Sequence, residues 1–420
     1  MALHPDRLFP ISPDARAIAR RLYATVRDLP IISPHGHTDP LWYAENAPFP
    51  DPARLFVVPD HYIFRMLYSQ GLRLEDFGIP RSDGGAVETD PRTIWQRFAA
   101  HYHLFRGTPT RLWFDHALET VFGIDERLTP ANADALYDRI AADLARPAFR
   151  PRALFERFGI EAISTTDGAL DPLASHRAIR DSGWTGRVVP AYRPDACVDP
   201  EFEGFTTNLS ALGALTGCDT LTWTGYLDAH RQRRAYFKSF GATSSDHGHA
   251  SARTANLSAG DAERLFDRIK GGQASAADAD LFRGQMLTEM ARMSLDDGLV
   301  LQIHPGSWRN HNPGLFAAFG RDKGADIPQA TDYVGALKPL LDAVGNERTL
   351  TVILFTLDET SYARELAPLA GHYPALKLGP PWWFHDSPHG MRRFREMATE
   401  TAGFYNTVGF NDDTRAFLSI

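Results

Sequence analysis

His35 and His37 are the residues from which chemistry can first be read. They close the stretch Leu29-Pro30-Ile31-Ile32-Ser33-Pro34-His35-Gly36-His37-Thr38-Asp39-Pro40, whose apolar start reads as a short strand. Side chains alternate faces along an extended backbone, so both imidazoles point the same way and could close on one metal ion, with Gly36 leaving room for the ion or a ligand. In a chain with 16 histidines such a pair also arises by chance. A third ligand must therefore come from elsewhere. Asp413, near the far end of the chain, has the right chemistry and is preferred to Asp412 because it stands two residues before Arg415. Two imidazoles and a carboxylate leave coordination positions open, which suits a catalytic rather than a structural metal. The plainer alternative is that Asp412 and Asp413 form an ordinary acidic turn.

Positioning these groups requires a scaffold that brings the two ends of the chain together. Ser12-Pro13-Asp14 reads as a helix start, followed by an apolar stripe at Ile18, Leu22 and Val26. From Pro40 to Pro151 the pattern is helical and broken by Pro and Gly, with amphipathic pieces near 61–70, 93–101, 111–122 and 131–145. Trp42, Tyr43, Trp95, Trp113 and Phe114 there are read as packing residues. After Gly159 short apolar runs alternate with helical stretches, the signature of βα units. The runs are 161–165, 187–192, 242–245, 299–303, 349–355, 375–378 and 404–410; with the opening strand they make eight. Nearly every run ends in polar chemistry: His35 and His37, Thr166-Asp167, Arg193, Asp246-His247, His304, Trp382-Trp383, and Asp412 to Arg415. Active sites of (β/α)8 barrels are built from those strand ends. The fold expected is thus α/β, a (β/α)8 TIM-type barrel with a helical insertion after strand 1. Residues 1–40 would form the N-terminal helix and first strand, 41–158 the insertion, and 159–420 the remaining barrel. Ile420 follows the eighth run closely, so either the helix that normally closes a barrel is absent from this protein or the sequence is truncated.

Composition narrows the function classes. A length of 420 residues with 43% hydrophobic content supports a large core. Lys+Arg 44 against Asp+Glu 52 gives a net charge of -8, which provides no reason to expect nucleic acid or an anionic membrane as partner. An anionic substrate would have to be held by local arginines. Two cysteines are too few for a disulfide framework and, with no signal-peptide pattern and no apolar run of spanning length, point to the cytoplasm. Walker A, H-E-x-x-H, C-x-x-C and G-x-S-x-G signatures do not occur.

Taken in order, His35-Gly36-His37, Asp60-His61-Tyr62, Thr165-Thr166-Asp167, Tyr192-Arg193-Pro194-Asp195, Ser245-Asp246-His247-Gly248, Gln302-Ile303-His304-Pro305-Gly306 with Arg309-Asn310-His311-Asn312, Trp382-Trp383-Phe384 and Asp413-Thr414-Arg415 resemble the uronate isomerases, members of the amidohydrolase superfamily. The resemblance spans about residues 8–420. It implies a barrel of the amidohydrolase kind and interconversion of D-glucuronate with D-fructuronate and of D-galacturonate with D-tagaturonate. It also implies a divalent metal, usually zinc, on His35, His37 and Asp413, with no nucleotide or redox cofactor. Such an aldose–ketose isomerisation moves a proton from C2 to C1 through a cis-enediol, which needs a base near C2 and groups that stabilise or shuttle protons at the oxygens. Asp413, Arg415 and Tyr62 are the catalytic candidates. Tyr62 is the better proton carrier, and Arg415 the electrostatic partner of the enediolate. His61 (sugar hydroxyls or ring opening), Arg193, Arg309, Trp382, Trp383 and His304 are the substrate-binding candidates; His304 could instead bind metal. The expected partners are a small-molecule uronic acid and further copies of the chain in a homo-oligomer.

Two departures from the family pattern stand out. Gly168-Ala169 replaces an expected Asp-Pro after Thr165-Thr166-Asp167, and Asp412-Asp413-Thr414-Arg415 keeps only the Asp-x-Arg spacing. The rival readings are a metal-dependent hydrolase on the same barrel and a non-catalytic sugar-acid-binding protein. A hydrolase usually recruits a further His after strand six, and none occurs between Phe355 and His372.

Overall fold

The structure is a computed structural model, and it describes residues 3–380, 382–409 and 411–420. Its centre is a curled parallel sheet of seven strands in the order β1-β2-β3-β4-β5-β8-β9. These are β1 (Ile31–Ser33), β2 (Ile160–Gly168), β3 (Arg187–Arg193), β4 (Ser244–His247), β5 (Val300–Ile303), β8 (Val352–Leu354) and β9 (Leu376–Leu378). Two-residue strands β6 (Ser307–Trp308) and β7 (Ile327–Pro328) form a separate antiparallel pair beyond β5. Strand order follows chain order because each crossover carries a helix and returns right-handed to the neighbouring position. Register sets which residues reach the same rim: Asp167 pairs with Tyr192, Gly168 with Arg193, and Asp246 with Gln302.

The run expected as an eighth strand, 404–410, differs. Phe404–Asn406 is a single 3-10 turn, Thr407 makes an isolated parallel bridge to Leu378, and Phe410 lies outside the described residues. Val408 N–H donates to the Leu378 carbonyl at 2.7 Å; further on, Asp413 N–H donates to the His35 carbonyl at 3.4 Å and His37 N–H to that of Thr414 at 3.2 Å. An irregular stave therefore runs between β9 and the end of β1. It cannot form a ladder, since Asp413 has φ 41°, a left-handed conformation that breaks extended backbone.

After α1 (Pro13–Ala24) and β1, the chain forms ten helical pieces before β2, of which seven are α-helices: α2 (Pro40–Glu45), α3 (Pro52–Phe56), α4 (His61–Ser69), α5 (Pro91–His101), α6 (Pro109–Phe122), α7 (Ala133–Leu144) and α8 (Pro151–Arg157). Their starts are written locally. Asp39, Asp51, Asp90 and Thr108 each stand before a proline at the first helical position and accept a hydrogen bond from the first turn, while Asp60 caps α4 without one. Tyr43, Trp95 and Phe114 are fully buried in the core these helices share, as expected for packing residues. That core is continuous with Ile160, Ile163 and Val188 of the sheet and with Phe417 and Leu418. A second core fills the space between β3–β9 and their crossover helices.

Helix α1 departs from its sequence reading at its cap. Ser12 makes no side-chain cap bond, and the stripe Ile18, Leu22 and Val26 faces outward, with no residue of the helix buried. No helix is long and apolar enough to cross a membrane among the described residues.

Candidate active site

The returning stave brings Asp413 against the end of β1. Its Oδ1 accepts from His35 Nε2 at 3.2 Å and lies 3.3 Å from His37 Nε2. Ligand atoms around a tetrahedral ion with bonds of about 2.0–2.2 Å stand about 3.3–3.6 Å apart. The three side chains thus have the spacing of a three-ligand site. Asp412 holds this arrangement from behind. The Ser33 hydroxyl donates to its carboxylate, its own N–H donates back to Ser33 Oγ at 2.9 Å, and Thr414 N–H donates to its Oδ1 at 3.0 Å. A side chain on residue 36 would collide with that carboxylate, which is why Gly36 stands between the histidines.

A second layer is organised by Asp246 at the end of β4, which is completely buried. It accepts from His304 Nδ1 at 2.6 Å and from Arg193 Nη1 at 3.0 Å, and lies 4.0 Å from His35 Nδ1. Arg193 also donates from Nε to Asp195 at 2.8 Å. His304 stacks between the rings of His35, at 4.3 Å, and Phe355, at 3.9 Å. The apolar wall contains Trp382, 4.8 Å from the His304 ring, and Trp383, 5.5 Å from that of His61. Tyr62 packs on the small cluster formed by Phe355, Trp382 and Trp383. Arg309 lies further out, its guanidinium 5.4 Å over Trp383 and paired with Asp326 at 2.8 Å. Arg415 pairs with Asp322 at 3.2 Å.

Burial and neighbouring charge set the protonation states. Burial lowers His37 to about 4 and His61 to about 3, in the latter with Arg415 adding to the effect, so both imidazoles are neutral at pH 7. Burial also lowers His304, to about 4, against the pull of Asp246. Its Nδ1–H therefore donates to Asp246, and its buried Nε2 has no hydrogen-bond partner. For His35 burial acts downward, but the Asp246 and Asp413 carboxylates prevail and raise it. Asp413 itself is penalised by burial, yet the two histidines hold its carboxyl far below the ordinary range. Burial, with Asp413 and Asp386 beside it, raises the Tyr62 phenol well above its ordinary value, so the hydroxyl keeps its proton.

Every residue singled out in the sequence thus comes to one mouth of the barrel, with Arg309 at its rim. The sequence marks Asp246 and Asp412 only as strand-end polar residues without a role, and does not mark Asp322 at all. For Asp246 the sequence shows a carboxylate directly after the small, uncharged Ser244-Ser245 and names none of its partners.

The family model described as glucuronate isomerase matches residues 13–420. The chain belongs to the glucuronate isomerase family. It is 73% identical over 416 residues to a uronate isomerase of Mesorhizobium japonicum, covering 99% of this chain and 89% of the relative. A uronate isomerase of Rhizobium meliloti is 71% identical over 418 residues, covering 100% and 89%. Among solved structures, glucuronate isomerase from Caulobacter crescentus superposes with a TM-score of 0.98 at 61% identity, covering 100% of this chain and 87% of that one. Uronate isomerase from Thermotoga maritima gives 0.91 at 26% identity, covering 100% and 89%. The fold of this glucuronate isomerase family member is accordingly the amidohydrolase-like barrel, its sheet here showing seven ladder strands and one irregular stave.

Backbone strain marks the same place. Of six non-glycine residues with left-handed φ among the described residues, Asp413 (41°), Trp383 (50°) and Asp322 (61°) belong to the site. Such conformations cost about 1–3 kcal/mol each and persist where surrounding structure imposes them.

Proposed function

We propose that this chain interconverts D-glucuronate with D-fructuronate, and D-galacturonate with D-tagaturonate, by moving a proton between C2 and C1 through a cis-enediol. The observation that carries the reading is a single carboxylate oxygen, Asp413 Oδ1, within 3.3 Å of two imidazole nitrogens, on a residue two positions before Arg415. His35, His37 and Asp413 fit a divalent ion, zinc in this proposal, by donor type and by spacing. Bound there, the ion would supply Lewis acidity and an anchor for anionic substrate oxygens.

The protein's own groups do the rest. Asp413, one of whose oxygens faces the histidines, takes part in the C2-to-C1 proton transfer. Tyr62, whose hydroxyl stays protonated, donates to a developing oxyanion, and Arg415 stabilises its charge. His61, neutral and with a buried, unpartnered Nδ1, handles a sugar hydroxyl or ring opening. Arg193 has Nε and Nη1 committed to Asp195 and Asp246, so Nη2 is what it offers a substrate oxygen; this is narrower than the two-pronged clamp the residue type alone would allow. His304, Trp382, Trp383 and Arg309 complete the walls, the indoles against an apolar sugar face. In this reading residues 41–158 carry Tyr62 and His61 to a mouth otherwise built by 1–40 and 159–420. A cytoplasmic, homo-oligomeric enzyme is part of the proposal; the free thiols of Cys197 and Cys218 support the compartment.

The test is turnover of both uronates by metal-replete protein in D2O. Ketose should form with exchange at C2, and Asp413→Asn should reduce both by about 10³-fold or more. Turnover of esters or amides without uronate conversion would establish the hydrolase instead, and metal-bound protein showing no C2 exchange would leave only a sugar-acid binder.

A further inference from the structure

His-Gly-His is written twice in this chain, at 35–37 and again at 247–249. The second copy leaves β4 where the first leaves β1, and it faces Asp195, which follows the neighbouring strand β3. One ligand atom from each of Asp195, His247 and His249 lies within 4.8 Å of the other two, with Asp195 Oδ1 3.9 Å from His249 Nε2. His247 is fully buried and His249 is 4% exposed. All four of their ring nitrogens lack a hydrogen-bond partner. Leaving buried polar groups unpaired costs about 1–3 kcal/mol each, so this concentration calls for an occupant.

We propose that Asp195, His247 and His249 form a second divalent-cation site, for a borderline ion such as Zn2+ or Co2+, distinct from the one at His35, His37 and Asp413. Two imidazoles and a carboxylate select such ions over Mg2+ or Ca2+, which prefer oxygen. The imidazoles are ready to ligate at neutral pH, because burial lowers both and brings His247 to about 3. Asp195 is fixed from its far side: Arg193 Nε donates to Oδ2, and Gly248 N–H donates to the same carboxylate at 3.2 Å. Oδ1, which also accepts from Gly248 N–H at 3.3 Å, is the oxygen turned towards His249. Residue 248 must be glycine for this, since a side chain there would collide with the Arg193 guanidinium. The positive charge of Arg193 is balanced by Asp246 as well as Asp195. Closing the ligand atoms, all within 4.8 Å and with the Asp195–His249 pair at 3.9 Å, to the roughly 3.3–3.6 Å of a tetrahedral ion takes shifts of up to about an ångström. Ala250 and Ser251, directly after His249, line a surface cleft of about 980 Å3. The ion would tie the ends of β3 and β4 together.

Equilibrium dialysis of the metal-free full chain against Zn2+, with elemental analysis, decides the matter. Wild type should bind two equivalents, and His249→Asn and His247→Asn one each. His37→Asn should lose the other equivalent and keep the step that His249→Asn removes, which separates this site from the one in the proposed function. Co2+ titration of the wild type gives a check free of any variant: a second, saturable d–d absorption step is expected. Metal-free thermal unfolding shows whether each variant is folded. If no binding step is lost in folded His249→Asn or His247→Asn, or if wild-type Co2+ spectra saturate in a single step abolished by His37→Asn, the second site does not exist and the histidines are paired by water.

Discussion

At the scale of single residues, the site is a problem of crowding as much as of ligation. Gly36 has no side chain because Asp412 occupies the space, and Asp412 is there because Ser33 and Thr414 bond it. Gly36→Ala should therefore destabilise the protein by about 1–3 kcal/mol through overpacking and also weaken metal retention, since the displaced loop carries Asp413. Asp412→Ala should destabilise too, by leaving buried partners unpaired. The double variant should be less damaged than the sum, with a coupling of about 0.5–3 kcal/mol, because the collision is then gone. Strict additivity in denaturant melts would show that the contact is not the cause. Tyr62 yields a cleaner chemical test. Tyr62→Phe keeps the ring that packs on Trp383 and removes the hydroxyl, so kcat should fall about 10²–10⁴-fold while KM changes little. A fall in kcat/KM produced by KM alone would make Tyr62 a packing residue.

At the scale of elements, the helix that presents His61 and Tyr62 depends on its first residue. Asp60 caps α4 by accepting from Tyr62 N–H at 2.8 Å, yet burial pushes its carboxyl up to about 7. A carboxyl raised in the folded state holds a proton that the unfolded chain has already released, so stability falls as pH rises from about 4 through 7. Asn caps nearly as well and carries no charge to desolvate. Asp60→Asn should thus match wild type near pH 4–5 and exceed it at pH 8, whereas Asp60→Ala should lose about 1 kcal/mol of cap energy; chemical denaturation across that range distinguishes them. This dependence was invisible in the sequence, where Asp60 reads simply as a helix start. Strands β1 to β3, β5, β8 and β9 were legible because apolar runs flanked by helices have few alternatives, whereas the short, polar β4 was legible only from its place in the βα rhythm. The eighth was not, since Thr407-Val408-Gly409 has strand-forming residues but Asp413 must turn against them to reach His35 and His37. His35, His37 and Asp413 were legible by residue type, and Asp246 was not, because its role comes from three partners, His304, Arg193 and His35, distant in sequence. The outward face of α1 was not legible either. Amphipathic spacing reports that a face is apolar and cannot say what lies opposite.

At the scale of the whole molecule, buried neutral histidines set the acid limit, and His230 and His176 are two that lie away from both the barrel mouth and the metal-ligand clusters. His230, in the helix Trp223–Ser239, meets the Tyr192 hydroxyl at 2.7 Å; His176, in the helix Ala174–Asp181, meets the Thr165 hydroxyl at 2.9 Å. Burial lowers them to about 3 and about 4. In the unfolded chain each regains an ordinary value near 6.5. Their contribution to stability is therefore complete above about pH 6.5 and is lost as pH falls towards 4, where the unfolded state binds protons that the folded state refuses. Each such group changes stability by about 1.4 kcal/mol per pH unit in that window. Because a 420-residue chain with two large cores need not unfold in one step, proton uptake on unfolding is a firmer observable than a midpoint. His230→Gln keeps an acceptor for Tyr192 and removes the titration. At pH 5 its uptake, measured by calorimetry in buffers of different ionisation enthalpy, should be smaller than that of wild type by about one proton. Equal uptake would mean that His230 is already charged in the folded protein, and the acid limit would then have to lie with the histidines at the mouth of the barrel.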